Sequence, residues 1–188
     1  RTVRVKGEDG REHPLVASET RLLEGSTALD PPAAAPSLNR LFLLAGLGLT
    51  ALLVLLASQR RRLAARILTG LLATVLSLTL GVAGLILALL WAFTDHWAGW
   101  HNENLLLMNP ISLLLLPACV LSLRAQWNPG KVTRSLATVI AVSAVAAALL
   151  RLAPGAYQGN LHWLLLILPI QLGLALVVFR VTQQPREP

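Results

Sequence analysis

Cysteine is nearly absent from this chain of 188 residues, which has one, at position 119. A single thiol can form neither an internal disulfide nor a multi-cysteine metal site, so disulfide stapling and a zinc-finger reading are both excluded. Charge is scarce too: 13% of the residues are Asp, Glu, Lys or Arg, against about 25% in ordinary globular chains. What fills the chain instead is apolar, 55% of all residues. These residues fall in runs long enough, or nearly so, to cross a hydrocarbon core of about 30 Å. A soluble enzyme, a disulfide scaffold and a disordered tail are thereby excluded. The fold class expected is all-α integral membrane, with five transmembrane helices behind a short β-like segment.

The first apolar run begins only at Leu41, too deep for an ordinary signal peptide, and the chain opens on Arg1, so further sequence is expected upstream. Thr2-Val3-Arg4-Val5-Lys6 alternates like a strand, Gly7-Glu8-Asp9-Gly10 reads as a turn, and Glu12 to Ala17 can return as a second strand. An isolated hairpin is marginally stable, so residues 1–25 read as the end of a larger upstream domain. Residues 26–40, with Asp30-Pro31-Pro32-Ala33-Ala34-Ala35-Pro36, read as an extended, semi-rigid linker. The alternative is a short pre-membrane tail.

The membrane domain is expected over residues 41–182, with spans at 41–58, 67–93, 105–123, 135–152 and 161–180, and a tail at 183–188. The first run stops at Arg60-Arg61-Arg62, which does not enter lipid cheaply. The second is uncharged for 27 residues, longer than one perpendicular crossing requires, so it tilts or projects. The third contains Asn109-Pro110 and Pro117, and its start is expected to be kinked or non-helical. In the fourth, Ala137, Ala141, Ala144 and Ala148 favour close helix approach, pointing to a central place for that helix. The Leu-rich first and fifth spans are expected to face lipid. Gly81 and Gly84 could admit a neighbour to the second.

Basic residues sort by loop. Arg60, Arg61, Arg62 and Arg66 lie between spans one and two, and Arg124, Lys131 and Arg134 between three and four, with Arg180 and Arg186 at the end. The loop after span two has no Lys or Arg, and the loop after span four has Arg151 alone. Positive-inside then places the amino terminus outside and the carboxy terminus in the cytoplasm. Residues 1–40 balance six basic against six acidic groups, so the formal charge of +7 is topological. No nucleic-acid partner is expected.

The informative stretch is Thr94-Asp95-His96-Trp97-Ala98-Gly99-Trp100-His101-Asn102-Glu103-Asn104, followed by Met108-Asn109-Pro110. Trp91, Trp97 and Trp100 suit the membrane boundary, where an indole buries its ring and keeps its N–H wet. Asp95 and His96 could orient an imidazole as a base, hold a lipid headgroup, or cap a loop, and no nucleophile accompanies them. His96 and His101 with Asp95 and Glu103 match no established metal-ligand spacing, so no metal and no cofactor is expected. Asn102, Asn104 and Asn109 could satisfy one another and the backbone that Pro110 interrupts. Cys119 sits in an apolar run that suits a thiol and not a thiolate, a poor setting for a nucleophile. Ser135, Thr138 and Ser143 have no evident base.

Phe93-Thr94-Asp95-His96, then Asn102, Asn104-Leu105-Leu106 and Asn109-Pro110 after a second hydrophobic segment, resembles the carboxy-terminal membrane domain of Lnb-type proteins. The resemblance spans roughly residues 10 to 180 and includes the five-span count. It implies a papain-like periplasmic domain upstream, carrying a catalytic cysteine and histidine that Cys119 and His13 do not match. It also implies a multi-pass protein of the bacterial inner membrane with a periplasmic amino terminus. The activity implied is lipoprotein N-acylation, moving an acyl chain from a phospholipid to the amino group of a lipoprotein's terminal cysteine. This chain would then anchor the catalytic domain, with membrane lipid, lipoproteins and its own upstream domain as partners. Asp95, His96, His101, Asn102, Asn104 and Asn109 would contact or support the lipid headgroup. A passive anchor or partner-binding bundle is the rival reading, and a small transporter a third.

Overall fold

The computed structural model describes residues 4–6, 9, 11–14, 37–94, 104–152 and 159–183. The chain divides into two units, Arg1–Pro36 and Ser37–Pro188. The Pro/Ala linker up to Pro36, the polar loop from Asp95 to Glu103 and residues 184–188 lie outside the described residues.

In the first unit, β1 (Arg4–Lys6) pairs antiparallel with β2 (Glu12–Pro14), with Val5 opposite His13. Asp9 shapes the connection, its Oδ1 accepting from Arg11 N at 3.1 Å, the side-chain-to-backbone bond that makes Asp a turn residue.

The second unit is helical. It comprises α1 (Asn39–Ser58), α2 (Leu63–Phe93), α3 (Asn104–Leu107), a 3-10 segment (Pro110–Leu115), α4 (Leu116–Leu121), α5 (Lys131–Leu150) and α6 (Leu161–Gln183). Five stretches, the third being Asn104–Leu121, are long and apolar enough to cross a membrane, and a helix satisfies its own backbone where no water can. The second helix starts at Leu63, four residues before the expected Ile67, so Arg66 belongs to it. Its 31 residues make a rod of about 46 Å at 1.5 Å per residue, well beyond a core of about 30 Å. The fourth starts at Lys131, also earlier than the expected Ser135.

Two ends of the bundle differ. One carries Arg60 against the carbonyls of Arg124, Ala125 and Trp127 and is called here the basic end. The other joins Asn104, Asn160 and Arg151 and is called the amide end.

Burial corrects the sequence reading of which helix is central. The fifth span, α6, expected to face lipid, has 44% of its membrane window buried, against 22% for α5 and 17% for α1. It packs against α1 and α5, with Ile167, Ile170 and Leu174 in the core beside Leu53, Leu107 and Ala144. On α5 the inward face is Ala137, Ile140, Ala144 and Ala147, so Ala141 and Ala148 are only partly covered. Leucine content misleads because a Leu side chain is as well matched by a helix as by a lipid tail. What brings helices together is close backbone approach. A Cβ on Gly46 of α1 would stand 2.5 Å from the Leu166 carbonyl oxygen of α6.

Candidate functional site at the amide end

The site grows out of one defect. Pro110 has no N–H and disfavours helical geometry at Asn109, which is extended at φ −81°, ψ 123°. Helix α3 therefore stops at Leu107, and the chain resumes as the 3-10 segment. In a continuous helix the carbonyl of Leu106 would accept from residue 110 and that of Leu107 from residue 111. The first donor does not exist. The second, Ile111 N, donates to Asn109 Oδ1 at 3.0 Å.

Other helices answer both carbonyls. Ser143 Oγ of α5 reaches Leu106 O at 3.0 Å, sharing its proton with Ile140 O at 2.9 Å. Gln171 Nε2 of α6 donates to Leu107 O at 3.0 Å. Asn109 Nδ2 completes the group by donating to Ser143 Oγ at 3.0 Å. Buried carbonyls without partners are costly in lipid, so this lattice is what lets an interrupted helix sit inside the bundle. Helix α2 seals it from the side, for a Cβ on Gly84 would collide with the Met108 carbonyl oxygen.

A second, outer layer lies at the start of α3. Asn160 is buried and donates from Nδ2 to Asn104 Oδ1 at 2.6 Å, while its Oδ1 accepts from Arg151 Nη1 at 2.6 Å. A guanidinium and two carboxamides thus link the end of α5, the approach to α6 and the start of α3. Near the start of α6, His162 and Trp163 meet Phe42 of α1 edge-on, with ring centroids 5.3 and 5.7 Å apart. Trp163 and Trp91 are both partly exposed, as boundary indoles are.

Of the residues expected to form the site, Asn104, Asn109 and Trp91 are placed at this end of the bundle, whereas Asp95, His96, Trp97, Trp100, His101 and Asn102 lie outside the described residues. Asn109 is buried with both ends of its carboxamide engaged inside the protein. Sequence reasoning missed Ser143, Asn160, Gln171 and Arg151 as partners, and Trp163 as a boundary indole. One signal was available: Pro110 orphans a carbonyl four residues back, so some distant hydroxyl or amide had to reach it. Cys119 stands apart, buried against Ser77 with Sγ and Oγ 3.8 Å apart. Among the described residues no group of three or more His, Cys, Asp and Glu is placed to hold a metal.

The chemistry open to this arrangement is binding by neutral amides and one guanidinium. No curated protein and no solved structure matches the chain. A family model does, over residues 41–184, a match that reaches all five membrane-spanning stretches, lacking only the first two residues of the first, and covers the amide end. On that match the chain belongs to the Lnb transmembrane domain family.

Proposed function

We propose that this chain is the membrane domain of a lipoprotein N-acyltransferase of the bacterial inner membrane, with its amide end at the periplasmic face. In this reading it anchors a periplasmic catalytic domain, whose last residues are 1–25, and presents the lipid-borne acyl ester and the lipoprotein amine to it. The upstream cysteine takes the acyl group from its ester oxygen as a thioester, and the amine then displaces the thiolate to form the amide. The membrane domain contributes position, not a nucleophile.

The observation that carries the proposal is the outer layer of the amide end, where Arg151, Asn160 and Asn104 converge at the start of the interrupted third span. Guanidinium and amide donors there suit phosphate and ester oxygens, and the distribution of Lys and Arg favours the matching orientation. The inner layer supports the rival reading, a passive anchor, because Asn109 and Ser143 already serve the backbone.

Lipoprotein N-acylation, read by mass spectrometry of amino-terminal lipopeptides from cells expressing the full-length protein, separates the two. Normal membrane abundance with lost N-acylation in His96→Ala and Asn104→Ala is expected. Normal abundance with normal N-acylation in both variants would reduce the domain to an anchor.

A further inference from the structure

A second site lies at the opposite end. A narrow, partly open cavity lies between α1, α2, α4 and α6 beside the Arg60 turn. Its lining descends α2 from Arg66 through Thr69 and Ala73 to Ser77, faced by Leu115 and Leu174. Those eleven steps of helix cover about 16 Å, close to half of a hydrocarbon core of about 30 Å. The cavity is thus as deep as one leaflet, cationic at one end and apolar below.

Among the described residues of the helical unit no carboxylate neutralises these cations. Residues 37–94, 104–152 and 159–183 contain no Asp or Glu at all. Arg60 is 9% exposed, and its Nη2 is shared among the carbonyls of Arg124, Ala125 and Trp127 at 3.3 to 3.4 Å, which supply dipoles but no charge. Arg66 Nε is buried with no hydrogen-bond partner. Burial first, and the Arg66 charge second, push the Arg60 guanidinium below its ordinary value. A buried cation without a counter-ion costs free energy that an arriving anion recovers.

We propose that this cavity binds one anionic phospholipid of the adjacent leaflet, its phosphate on Arg60 and Arg66 and one acyl chain running along α2 toward Ser77. Guanidinium forks match phosphate oxygens better than any other side chain, and juxtamembrane basic groups already concentrate anionic lipid. The shape selects a lipid over a free anion, because the surface that the cavity presents is mostly apolar, the Thr69 and Ser77 hydroxyls being turned to protein partners. This site is separate from the amide end and does not depend on the acyl-transfer reading.

The test is lipid retention. The chain is reconstituted in nanodiscs of equimolar phosphatidylglycerol and phosphatidylcholine, released into detergent, and its bound lipids counted by native mass spectrometry. One phosphatidylglycerol per chain, retained in preference to phosphatidylcholine, is expected. Arg66→Gln should weaken that retention about tenfold, the equivalent of one lost charge-assisted bond. Ala118→Phe, which fills the cavity and keeps both arginines, should abolish it. Equal retention of the two lipids, or unchanged phosphatidylglycerol retention in a folded Ala118→Phe, would overturn the site. Should Ala118→Phe fail to fold by circular dichroism, an undiminished preference in Arg66→Gln overturns it alone.

Discussion

The two ends of the bundle handle polar groups in opposite ways. At the amide end neutral dipoles answer one another, with Asn109, Ser143 and Gln171 closing around two carbonyls that Pro110 leaves open. At the basic end like charges gather with no carboxylate among the described residues of the helical unit, and Arg66 Nε has no hydrogen-bond partner. The first arrangement answers both open carbonyls within the protein, although Gln171 Oε1 and Ser112 Oγ stay buried without a partner. The second is incomplete until an anion arrives. Polar groups in a membrane protein therefore do not form one class: neutral groups such as Asn109 and Ser143 repair backbone and belong to the fold, whereas gathered cations call for an opposite charge.

The largest effect that would break this comparison belongs to Gly84. A methyl group there meets the Met108 carbonyl oxygen, and backbone cannot swing aside as a side chain does. Gly84→Ala is expected to cost about 3 kcal/mol, the upper range of overpacking, and to abolish folded protein in detergent. Gly48→Ala, where a Cβ would meet nothing within 4 Å, should stay within about 0.5 kcal/mol. Equal thermal unfolding of the two variants would mean that α2 does not hold the interrupted span.

Next comes the inner lattice. Ser143→Ala removes the partner of both Leu106 O and Asn109 Nδ2 and should cost about 1 kcal/mol, between the usual value of a membrane hydrogen bond and that of an unsatisfied buried group. Thr138→Ala on the same helix loses only an exposed bond to its own Arg134 carbonyl and should be near neutral. The difference, read from thermal unfolding midpoints, sharpens the claim that position and not residue type decides a hydroxyl's role.

That claim also explains what was legible in the sequence. The five spans were, because long uncharged runs identify helices in lipid without any tertiary knowledge. The interruption was too, since Pro110 acts through its own missing N–H. The partners were not: Ser143 lies 34 residues from Asn109, and Gln171 lies 64 from Leu107. Only the packing of α5 and α6 brings them close. The central position of α6 was misread for the same reason, as leucine content does not distinguish lipid from a neighbouring helix, whereas the approach of Leu166 to Gly46 does. Of the site, Asn104 and Asn109 could be named from their place beside Pro110, but Asn160 gave no local signal, since its role depends on meeting Asn104 across 56 residues.

The smallest effect on stability, and the sharpest on the comparison, is expected from Arg151. Its side chain is only partly buried and donates to Asn160 at the rim of the amide end, where a hydrogen bond of a partly solvated charge contributes about 0.5 kcal/mol or less. Arg151→Gln should therefore leave the unfolding midpoint and membrane abundance close to the parent values. It should not disturb orientation either: Arg151 is the only Lys or Arg between the fourth and fifth spans, on the side that positive-inside assigns to the exterior, so removing it increases the asymmetry. If the rim serves binding, the same variant lowers lipoprotein N-acylation in the full-length protein, and Arg151→Lys, which keeps the charge but loses the planar fork, restores it in part. If the rim is architecture, N-acylation follows abundance and neither variant moves it. A large fall in abundance for Arg151→Gln would join the rim to the inner lattice and erase the distinction between a completed fold and an outward-facing site at this end.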